Sequence, residues 1–174
     1  MEKVAYLIKH RFPGLFRLIE RLAQRVTILR FGRRIRAAMD CAKVDGKVGD
    51  RPAVMRALGE HDAHRLHSFL SGLPADHLRH FRPHGFDLPS LRPVLASRAF
   101  LNYGLFVGDE MVGYGLLKVA PTGSAFIGLI VHPEYVGKGL GTFITGFLYW
   151  QASRAGVRAR STISRENTAS LRSH

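Results

Sequence analysis

The sequence predicts a chain of α/β class, a helical arm followed by a domain of interleaved strands and helices. Three observations carry this: apolar residues recur at steps of three and four in the arm, β-rich runs alternate with helix-spaced runs after it, and one glycine-rich turn joins a strand directly to a helix. The 174 residues suit a single core of ordinary size. With 46% hydrophobic and 22% charged residues, 18 Gly and 8 Pro, the composition is that of a globular protein and excludes wholesale disorder. The longest nearly unbroken apolar stretch, Ala125 to Val131, falls far short of the ~20 residues a bilayer-spanning helix needs. The single Cys41 excludes an internal disulfide and a multi-cysteine zinc site, so a reducing cytoplasm is the expected location.

The arm is helical from Gly14 by its periodicity: Leu15, Ile19, Leu22, Val26 and Leu29 form one apolar stripe. Arg17, Arg21 and Arg25 follow one another at i+4, where like charges repel unless something anionic lies against them. Residues 40–52 lose this period and collect Gly, Asp and Pro, which predicts a linker between an arm at 1–39 and a body at 53–174. In the body, Ala53–Leu58 reads as a strand and Glu60–Leu70 as a helix with Ala63, Leu66, Phe69 and Leu70 on its apolar side. Pro74, Pro83, Pro89 and Pro93 break the next stretch into short helices and turns. Tyr103–Val107 and Met111–Val119 flank Gly108-Asp109-Glu110 and predict a hairpin. Phe126–Val131 is a further strand, ended by His132-Pro133. Thr142–Ala155 reads as a helix with Gly156 at its end, Val157–Ile163 as a strand, and Ser164–His174 as the start of another helix.

Charge is the unusual number. Lys plus Arg is 26 and Asp plus Glu is 13, a formal +13 that favours anionic partners. The arm alone holds 10 basic and 2 acidic residues, +8, which leaves +5 for the rest. Either the arm docks on the body or a partner protein with its arginines solvated, or the arginines lie against an anionic surface such as a membrane or nucleic acid.

The turn Gly137-Lys138-Gly139-Leu140-Gly141 is where the chemistry concentrates. Backbone N–H groups and the positive end of a helix converge there with no Cβ to hold a phosphate away. Its spacing fits neither the P-loop nor the dinucleotide fingerprint.

The run Ile127-Gly128-Leu129-Ile130-Val131-His132-Pro133-Glu134-Tyr135-Val136-Gly137-Lys138-Gly139-Leu140-Gly141 resembles the acetyl-CoA-binding core of the GNAT superfamily of N-acetyltransferases. There, a Leu-x-Val strand ends in His-Pro or a similar dipeptide and leads into a Gln/Arg-x-x-Gly-x-Gly/Ala loop. The resemblance extends back through Asp109–Tyr114 and forward to Ser164–Leu171. It implies a mixed, mostly antiparallel sheet flanked by helices, with acetyl-CoA as acyl donor and an amine as acceptor. Leu129 and Val131 would offer backbone groups to the pantetheine arm. Gly137, Lys138, Gly139, Leu140, Gly141 and Thr142 would cradle the pyrophosphate, and Asn167 would hydrogen-bond the cofactor. The amine would attack the thioester carbonyl directly.

The sequence departs from the family pattern in three places. Val136 stands where the family usually has Gln or Arg. The position of the family's general-acid Tyr is occupied by His174, the last residue, so the resemblance makes the domain C-terminally incomplete by two strands and leaves a sheet edge that a homodimer would cover. No general base is legible, since Ala125 and Phe126 stand where some relatives carry a glutamate. His61, His64 and His67, with His77 and His80, repeat at i+3 but lack a converging Cys or carboxylate, so no metal site is expected. Phe147, Tyr149 and Trp150 read as core packing. Two rival readings stand beside an acyltransferase: a degenerate acyl-CoA-binding protein, or a nucleic-acid or membrane-surface binder that uses the arm.

Overall fold

A computed structural model of the protein describes residues 13–79 and 81–161. A long helix, α1 (Pro13–Asp40), leads into strands β1 (Lys43–Val48) and β2 (Arg51–Ala57), helices α2 (Ala63–Gly72) and α3 (Leu88–Ala96), and strands β3 (Phe100–Val107), β4 (Glu110–Val119) and β5 (Ser124–Val131). Helix α4 (Leu140–Ala155) and the short strand β6 (Arg158–Arg160) complete it. The six strands form one sheet whose spatial order is the chain order. Its first four junctions are antiparallel and β5–β6 is parallel, which agrees with the mixed, mostly antiparallel sheet flanked by helices that the family resemblance implies.

Every residue of β3, and nearly every residue of β4, is buried on both faces. A strand covered on both sides needs no polar alternation, so these two read as continuous apolar runs. One face packs against α1 and α4 through Ile35, Ala38, Ile144, Leu148 and Ala152, with Tyr103, Leu117 and Val131 opposite them. The other packs against α2 and α3 through Leu66, Leu70, Leu91 and Leu95, with Phe106, Tyr114, Leu116 and Ile130 opposite. Helix α4 lies so close to β4 that a Cβ on Gly115 would come within 2.9 Å of Ile144 and 3.2 Å of Leu148.

The structure corrects the expected linker at 40–52. Lys43–Val48 pairs in register with Arg51–Ala57, and the chain turns through Gly49 at φ 59°. β1 escapes a sequence reading because it is an edge strand: only Val44 and Val48 are half-buried, and exposed Lys43, Asp45 and Lys47 supply the charges that discourage edge-to-edge pairing. The arm also differs from expectation. Ile19, Leu22, Val26 and Leu29 of the expected stripe are exposed, while Thr27, Phe31, Ile35 and Ala38 turn inward. Helix α1 therefore carries apolar side chains on two sides, and its second half presents the inner set to α4 and the sheet. The predicted helix from Ser164 lies outside the described residues, as do Asn167 and His174.

Candidate functional site

The site begins with the backbone of β5. His132 N–H donates to Val112 O at 2.8 Å, and β5 pairs with β4 without a register shift through Tyr114↔Ile130 and Leu116↔Gly128. Antiparallel ladders alternate, so Gly128 and Ile130 direct their peptide groups to β4, and those of Leu129 and Val131 point the other way. Among the described residues, β6 opposes β5 only at Ser124, Ala125 and Phe126. Both residues that the resemblance assigns to the pantetheine arm thus present peptide groups outward, beyond the paired part of the edge.

One of those groups meets a side chain that the sequence did not single out for this place. His77, in the segment between α2 and α3, brings Nε2 to 2.7 Å from Val131 O. A carbonyl offers only lone pairs, so Nε2 carries the hydrogen and donates it, and Nδ1 is left as the ring's acceptor when the imidazole is neutral. The carbonyl keeps a second lone pair for another donor. In the sequence His77 is visible only as half of an i+3 repeat with His80; 54 residues separate it from its partner, and only the tertiary fold joins them.

The glycine turn is anchored from below. After β5 a short 3-10 turn, Pro133–Tyr135, buries Tyr135, whose hydroxyl accepts from Arg51 at 3.0 Å and donates to Glu110 at 3.3 Å. The Lys138 ammonium sits 4.7 Å from the centre of the same ring, which holds this cation at the turn. Gly137 and Gly139 adopt φ of 82° and 78°, a region costly for any residue with a Cβ, and open space surrounds the position a Cβ would take at each. Their glycines are therefore required by conformation rather than by crowding. Gly139 caps α4, whose first turn holds no acidic side chain, so the free N–H groups there keep their full positive character. The cradle fits a diphosphate: N–H groups, the helix end and Lys138 all favour an anion. Val136 is 52% exposed and adds no polar group.

From this turn an open groove of about 630 Å³ runs along α4, lined by Gly139, Thr142, Phe143, Gly146, Phe147 and Trp150. The structure divides the aromatic cluster expected in the core. Phe147 is buried edge-on against Tyr103, whereas Tyr149 and Trp150 are exposed and Trp150 lies under the Arg154 guanidinium.

Behind His77 the α2–α3 segment is tied to the sheet by a polar chain. His84 Nε2 lies 3.0 Å from the Tyr114 hydroxyl, which donates to Asn102 Oδ1 at 2.7 Å; the Asn102 amide donates to Val94 O and Phe100 O. Burial pushes the Tyr114 phenol far up from its usual range. Burial also lowers His84, reinforced by the charge of Lys118, and outweighs the raising effect of its bond to Gly85 O. Among the described residues no three His, Cys, Asp or Glu side chains converge as metal ligands.

No significant relative is found among proteins of curated function. Solved structures do match. The GNAT domain of S. lividans PAT aligns over 75% of this chain and 84% of its own, at 15% identity and a TM-score of 0.66. Mycobacterium smegmatis RimJ, in complex with CoA-disulfide, aligns over 75% and 71% at 18% identity and 0.53. The aminoglycoside acetyltransferase AAC(6')-Ib, in complex with coenzyme A, aligns over 70% and 80% at 22% identity and 0.54. At such identities these likenesses establish the fold. The profile of the acetyltransferase (GNAT) family matches residues 66–174, most of the chain and all of the glycine turn, and by that match the protein belongs to the GNAT family of acetyltransferases, which use acetyl-CoA.

Proposed function

We propose that the protein transfers the acetyl group of acetyl-CoA directly to a primary amine, with the outward backbone of Leu129 and Val131 and the turn Gly137–Thr142 as the donor site. The observation that carries this reading is their continuity: peptide groups turned outward on the edge of β5 lead within six residues to a glycine turn at a helix N-terminus. Bound acetyl-CoA supplies an activated acyl group as a thioester. The chain's own residues hold and polarise it. Leu129 and Val131 hydrogen-bond the pantetheine amides, and the N–H groups from Gly137 to Thr142, with Lys138, neutralise the diphosphate. Asn167 and His174 keep the parts that the resemblance implies, a cofactor hydrogen bond and proton donation to the departing thiolate.

The missing base is His77. With Nε2–H engaged by Val131 O, Nδ1 keeps a lone pair that can take a proton from an incoming ammonium group. The amine nitrogen then bonds to the acyl carbon and gives its second proton to water, the C–S bond breaks, and the sulfur takes a proton from protonated His174.

The test is calorimetric titration with coenzyme A, followed by release of free thiol from acetyl-CoA over a panel of primary amines. Gly139→Asp should abolish binding without unfolding the chain, the strained φ costing about 1 kcal/mol and so roughly 3 °C in melting temperature; undiminished binding would refute the donor site. His77→Gln should lower kcat about 100-fold, the lower end of what a general base supplies, with KM for acetyl-CoA within about twofold. A wild-type protein that binds coenzyme A yet releases no thiol above background would favour the degenerate reading, to which the apolar Val136 already points.

A further inference from the structure

The side of α1 turned away from the body has no role in the donor site. Leu18, Ile19, Leu22, Val26 and Leu29 are 43–85% exposed there. At ~100° per residue they fall in one sector about 100° wide, roughly opposite the inward-facing Thr27, Phe31, Ile35 and Ala38. Exposed Arg21 and Arg25 border this stripe, and Arg33 and Arg36 extend it toward the end of the helix. Between Glu20 and Asp40 the helix contains six arginines and no carboxylate, and Glu20 itself is drawn off to Lys118 at 3.4 Å.

Charge decides among the occupants. A second copy would set this arginine-bordered stripe against its own like. The segments outside the described residues are also basic: 1–12 hold Lys3, Lys9 and Arg11 against Glu2, and 162–174 hold Arg165 and Arg172 against Glu166. A nucleic acid backbone would neutralise the arginines but leave five apolar side chains in water. An interface that is anionic at its surface and apolar a few ångströms deeper satisfies both halves. We propose that α1 lies along an anionic phospholipid surface, with Leu18, Leu22, Val26 and Leu29 inserted among the acyl chains and Arg21, Arg25, Arg33 and Arg36 at the headgroups. No described helix is long and apolar enough to cross a membrane, so the attachment is in the plane of the interface.

The test is co-sedimentation of the full chain with vesicles of phosphatidylcholine alone and of phosphatidylcholine with 30 mol% phosphatidylglycerol, at about 0.1 M salt. We expect at least tenfold tighter partitioning onto the anionic vesicles. Arg21→Glu with Arg25→Glu should remove most of it, each lost arginine accounting for roughly a fivefold change. Leu18→Ser, Leu22→Ser and Leu29→Ser together keep every charge and should also weaken partitioning at least tenfold; all three sites are exposed, and an unchanged melting temperature confirms that the variant folds. Partitioning that survives the serine variant would mean attraction of a +13 chain to any anion, and would overturn the insertion. No partitioning at all, with concentration-dependent dimerisation abolished by the same serines, would assign the stripe to a second copy instead.

Discussion

Asp62 shows what one carboxylate can hold together. Only 2% of its side chain is exposed, and it receives both guanidinium nitrogens of Arg56, at 2.9 and 2.7 Å, the N–H of Gly59 at 3.1 Å and His61 Nε2 at 3.1 Å. Burial alone would push its carboxyl up, but the bonds from Arg56 and Gly59, with the Arg56 and His61 charges, outweigh that and hold it below its usual value; Arg56 is raised in return. The sign follows. Since the folded value lies below the unfolded one of about 3.9, the pair's contribution is complete above that pH and is lost as pH falls through the folded value. Asp62→Asn should cost about 2 kcal/mol at neutral pH, less than a fully buried pair because Arg56 is partly solvated. Urea midpoints at pH 7 and pH 3 check this: the variant should lose less stability on acidification than the wild type, and equal losses would assign the acid sensitivity elsewhere. Nothing in the spacing of Arg56 and Asp62 announces this pair, because it forms across the end of β2 and a short turn. The glycines at 137 and 139 differ, since a backbone that needs positive φ selects a residue type and so writes itself into the letters.

The elements differ in how far their surroundings were predictable. The β3–β4 hairpin is plain in the sequence because both strands are covered on both faces. β1 is not, because an edge strand has one neighbour and its letters answer to solvent. The packing of α4 on β4 depends on Gly113 and Gly115, where a Cβ would approach Ile144 to 2.9 Å. Gly115→Val should therefore destabilise by about 2 kcal/mol through overpacking, despite valine's better strand propensity. For a chain of this size the melting temperature should drop by roughly 5 °C. An unchanged melting temperature would mean that α4 can slide without loss.

At the scale of the whole molecule, α1 is part of the body rather than an appendage. Ile35 and Ala38 are buried in the core, Phe31 packs beside them within reach of Gly123, and Arg30 donates to Pro121 O at 2.9 Å. Removing residues 1–39 should uncover the part of the α4 and sheet surface that Phe31, Ile35 and Ala38 cover. At about 2 kcal/mol for each large apolar side chain, the loss approaches a total stability that for most domains is only about 5–15 kcal/mol. Scanning calorimetry should show a melting temperature at least about 10 °C lower, or no cooperative transition. A deletion that melts like the full chain would restore the arm to the independent status its composition suggests. The sequence by itself determined the class of the fold, the glycine turn and the strand leading into it, because those depend on local rules: periodicity, positive φ and the need for a helix start without side chains in the way. Only the tertiary structure decided that 43–48 is a strand, that the leucine stripe of α1 faces outward, and that His77 reaches Val131. Each of these depends on what lies across the fold, and a residue's partner 54 positions away leaves no trace in its immediate neighbours.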